Sequence, residues 1–388
     1  MARRKVTAKP AASGTQDPVL GAALDHLRKK WGANVVCHAS ETEDVNIRRP
    51  TGLASLDHAM AGGFKHGTIN VVSGNESVGK DALINIMIAR NQRLYGKDSS
   101  VFIGYTEPTG WDKTWARQMG VVVPMSGVEI QAYEKTLGAR LGEDMRAELT
   151  REAGRIYIAE SSTAEEMFDA VLAHMPLCQL LVVNSISAVM PELYVDSEGF
   201  DPGSGLKRAQ LVSEFTNKFT ARKRRCGSDK PTVVCIQQAR ANLQQGGGWM
   251  TRKWTTQHGA HALRHMKTME VELQTMGRIP ERGEPLGKIT RWTLTKAKSG
   301  AHEGTRGEYN LFFDSGPDIA CDLFATLRRC DMVLQAGPVT RVMHNDKVLV
   351  EGKGADGVIS KLRVDLELRD ALYDALMATL PIPPLWRI

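Results

Sequence analysis

Residues 74 to 81, GNESVGKD, have the types and spacing of a loop that binds phosphate groups. A β-branched run precedes Gly74, and Gly79-Lys80 begin a segment of helical character. In this order of strand, glycine-bounded loop and helix, backbone N–H groups, the helix dipole and a lysine converge on the phosphates of a nucleotide. A chance Gly-Lys turn would not explain the flanking strand and helix. We therefore predict that a nucleotide is contacted by Gly74, Asn75, Glu76, Ser77, Val78, Gly79, Lys80, Asp81 and Ala82.

The last position of this loop departs from the usual pattern. Such loops end in Ser or Thr, whose hydroxyl binds Mg²⁺, whereas this loop ends in Asp81. The sequence therefore does not match the strict phosphate-loop pattern, although the strand before it and the helix after it are those that such a loop requires.

The composition is that of an ordinary soluble globular protein. The 388 residues are 42% hydrophobic and 24% charged, and no run of 18 apolar residues occurs. The six cysteines form no CxxC pair, so we expect a reducing cytoplasm and no zinc site. A net charge of +6 is compatible with nucleic acid binding, but also with an ordinary solvated surface.

The order of elements predicts an α/β fold. Buried-type strands at 100–107, 155–161, 179–191 and 232–238 alternate with helical segments, one of which opens with a capping box at Thr163 and Glu166. Further strands follow at 269–276, 288–299 and 305–314. This alternation indicates a mostly parallel sheet with helices on both faces, and ligands bind such sheets at the carboxyl ends of the strands. The phosphate loop, Glu107 and Asn184 all fall at such ends.

Three regions are expected along the chain. Residues 1–45 contain a basic arm followed by an amphipathic helix at 18–31, which packs either on its own domain or on a neighbouring subunit. Residues 46–316 form the core, and residues 317–388 form a small α+β domain.

Over residues 18 to 316 the sequence resembles the bacterial RecA recombinase family, as a divergent member of the kind that a virus can encode. The resemblance lies in RRPTGLASLDHAMAGGFKHG, GNESVGKD, FIGYTEPTGWDKTWARQMGV, LLVVNSISAVMP, VCIQQAR, GAHALR and LTKAKSG, in that order. It implies a RecA-type P-loop ATPase core that forms a helical filament on single-stranded DNA and promotes strand exchange with homologous duplex DNA. The implied location is the cytoplasm of a bacterial cell or of a virus-infected host, without a membrane.

The resemblance assigns further residues of the ATP site. Glu107 falls on the carboxylate that activates the attacking water, although it could be a surface residue before a turn. Asp112 and Trp115 fall on the adenine-binding positions, and Phe313 is placed in the same nucleotide site. Trp115 could instead be helix core. Gln238 falls on the sensor of the γ-phosphate, its alternative being a solvated strand end.

Lys296 and Lys298 match a lysine pair that reaches the neighbouring subunit's phosphates. Two lysines at i and i+2 of a strand point to the same face, as such a clamp requires. An ordinary cationic strand is the alternative.

Two loops are implied to contact DNA, at 193–205 and 240–261. The second combines glycines, cations and aromatic residues, which suit the backbone and stacked bases of a single strand. We expect it to be irregular, as a structureless insertion of about 20 residues. The predicted DNA-binding residues are Lys207, Arg208, Arg240, Trp249, Arg252, Lys253, Gly259, His261 and Arg264.

The metal site departs from the family at two positions. Asp81 stands where the family has a residue with a hydroxyl group, and Asn184 stands where the family has an Asp at a strand end. The number of carboxylates is therefore unchanged. We hypothesise a reciprocal exchange, in which Asp81 binds Mg²⁺ directly or through water and Asn184 donates a hydrogen bond to Asp81. Decay of the site, with slow or absent hydrolysis, is the alternative.

Three functions remain open at this point. The first is a DNA-dependent ATPase that acts as a recombinase in a filament. The second is a catalytically weakened filament that binds nucleotide and coats single strands. The third is a hexameric helicase of the same fold, which would usually offer an arginine finger and a separate N-terminal domain.

Overall fold

The computed structural model describes residues 18–31, 46–106, 110–195, 204–223, 226, 230–238, 240–243, 252–255, 261–281, 284–298 and 300–386. The chain divides into two units, Met1–Val45 and Asn46–Ile388. The described part of the first is helix α1, Pro18–Trp31, with the predicted bounds. In the second unit the helices are α2 Ala54–Ala59, α3 Lys80–Tyr95, α4 Lys113–Gln118, α5 Gly127–Leu137, α6 Glu143–Leu149, α7 Ala164–His174, α8 Ser204–Arg222, α9 His261–Met266, α10 Ile319–Arg329, α11 Gly354–Val364 and α12 Leu366–Met377.

The strands belong to one large sheet and three small ones. They are β1 Arg48–Arg49, β2 Phe64–Lys65, β3 Ile69–Gly74, β4 Ser100–Tyr105, β5 Arg155–Glu160, β6 Leu180–Asn184, β7 Thr232–Gln238, β8 Arg240–Leu243, β9 Arg252–Thr255, β10 Met269–Glu281, β11 Glu284–Lys296, β12 Arg306–Phe312, β13 Gly316–Pro317, β14 Val333–Ala336, β15 Val339–His344 and β16 Lys347–Lys353. The large sheet has the order β13-β12-β11-β10-β3-β7-β6-β4-β5. From β10 to β5 all neighbouring strands are parallel.

Both faces of the central parallel strands β3, β4, β6 and β7 are buried, which is why these strands are mostly apolar. On β3, Val72 packs into a cluster with α2 and α3, while Val71 packs into a second cluster with α7 and α8. Val182 and Val183 of β6 divide between the same two clusters. The predicted fold class, an α/β protein with a mostly parallel sheet flanked by helices, is confirmed.

A third core joins the C-terminal segment to helix α2. Ala54 of α2 is buried among apolar residues of α10, α11 and α12. Asp57, also on α2, accepts a hydrogen bond from the Tyr373 hydroxyl of α12 at 2.7 Å. On α3, Arg90 forms ion pairs with Asp370 and Asp374 of α12. The domain boundaries at 45/46 and 316/317 stay predictions.

Two expected elements differ from the structure. Strand β6 ends at Asn184, whereas the apolar run predicted a strand as far as residue 191. Within the region expected to be structureless, β8 and β9 pair as antiparallel strands, with Arg240 opposite Thr255. Cross-strand pairing is non-local, so the glycine-rich sequence did not reveal it. Among the described helices, none is long and apolar enough to cross a membrane.

Candidate nucleotide-binding site

Four parallel strands bring their carboxyl ends together at one edge of the sheet. Gly74 at the end of β3 is paired with Gln238 at the end of β7. Asn184 at the end of β6 is paired with Tyr105 of β4. The Thr106 N–H, after β4, donates to the Asn184 carbonyl at 2.9 Å. Strand register therefore places the phosphate loop, Asn184 and Gln238 around one opening.

The phosphate loop, residues 74–80, depends on its two glycines. Gly79 has φ of +101°, and a Cβ there would lie 2.5 Å from Leu311 Cδ2. A Cβ on Gly74 would lie 2.6 Å from the Leu273 carbonyl oxygen. Val78 is buried in the core beneath the loop, whereas the side chains of Glu76 and Ser77 are exposed. The loop is thus anchored at Val78 and closely enclosed by β10 and β12.

Lys80, the first residue of α3, lies against the inside of this loop. Its side chain is only 6% exposed, and Nζ donates to the carbonyl oxygens of Asn75 at 2.6 Å and Gly74 at 3.2 Å. A buried ammonium group held by neutral carbonyls is favourably placed to receive an anion. Backbone N–H groups and this cation, at the start of a 16-residue helix, are an arrangement that can bind an anion.

Asp81 and Asn184 contact each other directly. The Asn184 amide Nδ2 donates to Asp81 Oδ1 at 2.7 Å. Asp81 is exposed in the first turn of α3, next to Lys80. This hydrogen bond is the contact that the exchange hypothesis requires, while the metal-binding role of the pair stays a prediction.

Gln238 is held beside the loop through its backbone. Its N–H donates to the Ser187 hydroxyl at 3.1 Å, and Ser187 Oγ lies 3.2 Å from Ser185 Oγ. Both serines follow the end of β6. The segment after β6 therefore leaves the sheet to support the end of β7.

Two of the predicted nucleotide-site residues, Trp115 and Phe313, lie together. The Trp115 indole Nε1 donates to the Phe313 carbonyl at 3.3 Å, and the Phe313 ring is 52% exposed. Asp112 is the N-cap of α4: its Oδ1 accepts from the backbone N–H groups of Thr114 and Trp115, at 2.8 and 3.0 Å. Trp115 also packs partly against the core, which agrees with the alternative that the sequence left open, while its role in adenine binding stays a prediction.

Strand β11 adds two residues that the sequence did not single out. Lys288 Nζ donates to the Ser77 carbonyl, and Thr290 Oγ1 donates to the Val78 carbonyl at 3.4 Å. Burial lowers the pKa of Lys288. The period-2 pattern of β11 places both residues on one face, but only the sheet order shows that this face meets the phosphate loop.

The predicted lysine pair is only partly on a strand. Lys296 is the last residue of β11, and Lys298 lies two residues beyond it, so the proposed shared strand face is wrong for Lys298. Lys296 Nζ donates to the Arg264 carbonyl. Burial, and then the charges of Lys298 and Lys267, lower the pKa of Lys296. The chain turns away after β11 because it must reach β12, which pairs antiparallel.

The described DNA-binding candidates occupy four elements. Lys207 and Arg208 lie on α8, where Arg208 Nη1 donates to the Ser187 carbonyl at 3.0 Å. Arg240 lies on β8, and Arg252 and Lys253 lie on β9. His261 begins α9, on which Arg264 is exposed. Two further DNA-binding candidates, Trp249 and Gly259, lie outside the described residues, and so does Glu107, the candidate for activating water.

The described residues suit ATP and Mg²⁺. Gly74 and Gly79 allow the loop to pack closely against β10 and β12, where a Cβ would meet Leu273 or Leu311, and the loop holds a buried lysine, as a phosphate cradle does. Mg²⁺ prefers oxygen ligands, and takes one or two carboxylates plus substrate phosphates. Asp81 and the amide of Asn184 match that set. Among the described residues, no group of three or more His, Cys, Asp and Glu side chains could hold a metal ion by itself, so a metal here would depend on bound phosphate.

Comparison with known proteins identifies distant relatives along most of the chain. The sequence is similar to Protein RecA of Aquifex aeolicus (strain VF5), with 25% identity over 338 residues, which are 86% of this chain and 85% of that protein. It is 23% identical to Protein RecA of Cutibacterium acnes over 374 residues, 95% of this chain and 94% of that protein. Against Protein RecA of Fusobacterium nucleatum the identity is 24% over 352 residues. No protein-family model matches. These similarities support a distant RecA-like relationship and, with the sheet, a RecA-type core.

Proposed function

We propose, from this distant relationship and the geometry of the loop, that the protein is an ATP-dependent DNA recombinase. It would form a helical filament on single-stranded DNA, hydrolyse ATP in response to that DNA, and promote pairing and strand exchange with homologous duplex DNA.

One observation carries the proposal: strand register brings the phosphate loop, Asn184 and Gln238 to the same edge of the sheet. Asn184 lies more than 100 positions after the loop, and Gln238 lies 54 positions after Asn184. A chance glycine-lysine turn would not be accompanied by two further candidate residues at the adjacent strand ends. The similarity to RecA proteins extends over 86 to 95% of the chain, so it is not limited to the loop.

In this proposal each part of ATP hydrolysis is assigned to particular residues of the chain. The loop N–H groups and Lys80 bind the β- and γ-phosphates and stabilise the charge that develops there. Asp81, oriented by Asn184, would hold Mg²⁺, which supplies charge neutralisation to the phosphates when bound. Glu107 orients the attacking water, and Gln238 contacts the γ-phosphate. Since Gln238 leads into the predicted DNA loop, it would link ATP binding to DNA binding.

Assembly and DNA binding would use the remaining candidates. Lys296 and Lys298 reach a neighbouring subunit's phosphates, which makes hydrolysis depend on the filament. The cations of β8, β9 and α9, together with Trp249, contact the DNA backbone and bases. Because such binding releases counterions, DNA affinity should fall steeply with salt.

The test is ATP turnover at millimolar Mg²⁺, with and without single-stranded DNA. The wild type should be stimulated by DNA, and Glu107→Gln should lose that turnover. Glu160→Gln is a matched control, because Glu160 ends the neighbouring strand β5 and is exposed. Equal turnover of the wild type and Glu107→Gln would refute the assignment of Glu107. Absence of both nucleotide binding and DNA binding in the wild type would refute the proposal.

The second candidate is a filament with weakened catalysis, and Asp81 is the observation that favours it. Its carboxylate replaces a neutral hydroxyl beside the phosphate site and is hydrogen-bonded to Asn184, so it repels phosphate unless a cation is bound. Tight ATP-dependent DNA binding without turnover would support this candidate. Negative-stain microscopy separates both from a helicase, which would form closed rings instead of open filaments.

A further inference from the structure

Strand β11 holds two consecutive carbonyl groups of the phosphate loop. The Lys288 ammonium donates to the oxygen of Ser77, and the Thr290 hydroxyl donates to the oxygen of Val78. Both donors come from one face of one strand, two residues apart. Thr290 is fully buried, and Lys288 is half-buried.

These two contacts determine the direction of two backbone N–H groups. In a planar trans peptide the C=O and N–H bonds point in opposite directions. The oxygens of Ser77 and Val78 face β11, so the N–H groups of Val78 and Gly79 point away from it. Ser77 has φ of +55° and Gly79 has φ of +101°. Non-glycine residues adopt such values at a cost, so Ser77 needs external support to keep this conformation.

Lys288 also lies near the base-binding side of the site. Its Nζ is 5.9 Å from the centre of the Phe313 ring, and the Phe313 carbonyl accepts from Trp115. Burial lowers the pKa of Lys288, since an ammonium group loses hydration there. A carbonyl dipole and an aromatic face compensate that loss only in part. A bound phosphate group would supply the missing negative charge.

We propose that Lys288 is a positioning residue of the nucleotide site. It holds the Ser77–Val78 peptide so that the phosphate loop keeps its N–H groups directed at the nucleotide's phosphates, and it adds a second positive charge behind the loop. This inference rests on the proposed binding of ATP. Thr290 acts in the same way on the next peptide, with a weaker, neutral hydrogen bond.

The test compares Lys288→Met and Lys288→Arg with the wild type. Binding of N-methylanthraniloyl-ATP and N-methylanthraniloyl-ADP is measured by fluorescence titration, and thermal unfolding is measured without nucleotide. Lys288→Met should weaken the binding of both nucleotides by about tenfold or more, since a charge-assisted hydrogen bond is lost. Lys288→Arg should recover binding to within about threefold of the wild type, because the guanidinium can donate to the same carbonyl. The unfolding midpoint without nucleotide should stay close to that of the wild type.

Arg291→Met is the matched control. Arg291 lies on the same strand and is half-buried, but it pairs with Glu308 instead of the loop. Its substitution should leave nucleotide affinity unchanged. A wild type that binds neither nucleotide would overturn the proposed function itself. If the wild type binds nucleotide, two results would each overturn the role of Lys288 alone. The first is a Lys288→Met variant with the affinity of the wild type, and the second is a Lys288→Arg variant that binds as weakly as Lys288→Met.

Discussion

The exchange of Asp81 and Asn184 can be tested by a double-mutant cycle. The variants are Asp81→Thr, Asn184→Asp and the double variant Asp81→Thr/Asn184→Asp, which carries a hydroxyl on the loop and a carboxylate at the strand end. If the two residues act as a unit, each single variant should be impaired and the double variant should recover much of the activity.

The expected coupling follows from the 2.7 Å contact between Asn184 Nδ2 and Asp81 Oδ1. A hydrogen bond to a carboxylate contributes about 1.5–3 kcal/mol when buried, and about 1 kcal/mol here because Asp81 is exposed. In Asn184→Asp a second carboxylate replaces the donor, and at a similar separation in a water-like dielectric the repulsion is about 1.5 kcal/mol. If it acts fully on nucleotide binding at low Mg²⁺, the total change of about 2.5 kcal/mol corresponds to a roughly 60-fold weaker nucleotide affinity. Mg²⁺ can offset part of it by binding between the two charges.

The assay is DNA-stimulated ATP turnover and fluorescent nucleotide affinity over a series of Mg²⁺ concentrations. We expect Asn184→Asp to bind nucleotide more weakly than the wild type at low Mg²⁺, and Asp81→Thr to require more Mg²⁺ for half-maximal turnover. The double variant should come within a few-fold of the wild type. As a control, Asp81→Thr combined with Glu160→Gln should be additive, because Glu160 is not a partner of Asp81 in any described hydrogen bond.

Additive effects of the two site substitutions, within about 0.5 kcal/mol, would refute the exchange. A sharp rise of hydrolysis in Asn184→Asp alone, with loss of hydrolysis in Asp81→Thr alone, would also contradict it. The decayed site would then be the better account.

Three further predictions concern the loop, the C-terminal contact and one helix. Gly79→Ala should strongly weaken nucleotide binding in fluorescence titrations, because φ of +101° strains an L side chain and its Cβ would also displace the buried Leu311 side chain, whereas Gly138→Ala, at φ of +66° and with nothing within 4 Å, should bind normally. Burial raises the pKa of Asp57 to about 6. An unfolded Asp titrates near pH 4, so the unfolded chain binds fewer protons between about pH 4 and 6, and the free energy of unfolding should fall by roughly 3 kcal/mol as pH rises through that window. Asp57→Asn should flatten this slope in urea unfolding experiments, and an unchanged slope would exclude Asp57 as its origin. Thr163→Ala should lower the free energy of unfolding by about 1 kcal/mol through loss of the α7 cap, while Ser162→Ala should have little effect; equal losses would contradict the capping role.

The local elements of the fold could largely be predicted from the sequence. Helix α1 has the predicted bounds, and the capping box at Thr163 and Glu166 is confirmed by both of its hydrogen bonds. Strand β7 also has the predicted bounds. Periodicity, caps and short apolar runs act within a few residues, so the sequence displays them directly.

Errors arose where distant segments decide the structure. The apolar run after Asn184 reads as strand, but the chain leaves the sheet there, and Ser187 instead supports the end of β7. The pairing of β8 with β9 joins segments eight or more residues apart. Lys298 falls beyond the end of β11, where the turn toward β12 has begun. Each depends on a partner that local sequence does not identify.

Residue types and spacing were enough to identify the candidate chemistry: a glycine-bounded loop with Lys80, an unusual Asp81 and its counterpart Asn184 at a strand end. They also led to the hypothesis that Asn184 donates a hydrogen bond to Asp81, and sheet order and register form that contact. The contacts of Lys288 and Thr290 of β11 with the loop carbonyls became visible only in the folded chain. The reason is physical: residue type and spacing specify what a side chain can do, whereas a hydrogen bond across 100 or 200 positions forms only when packing of the two sheet faces fixes the neighbouring strands.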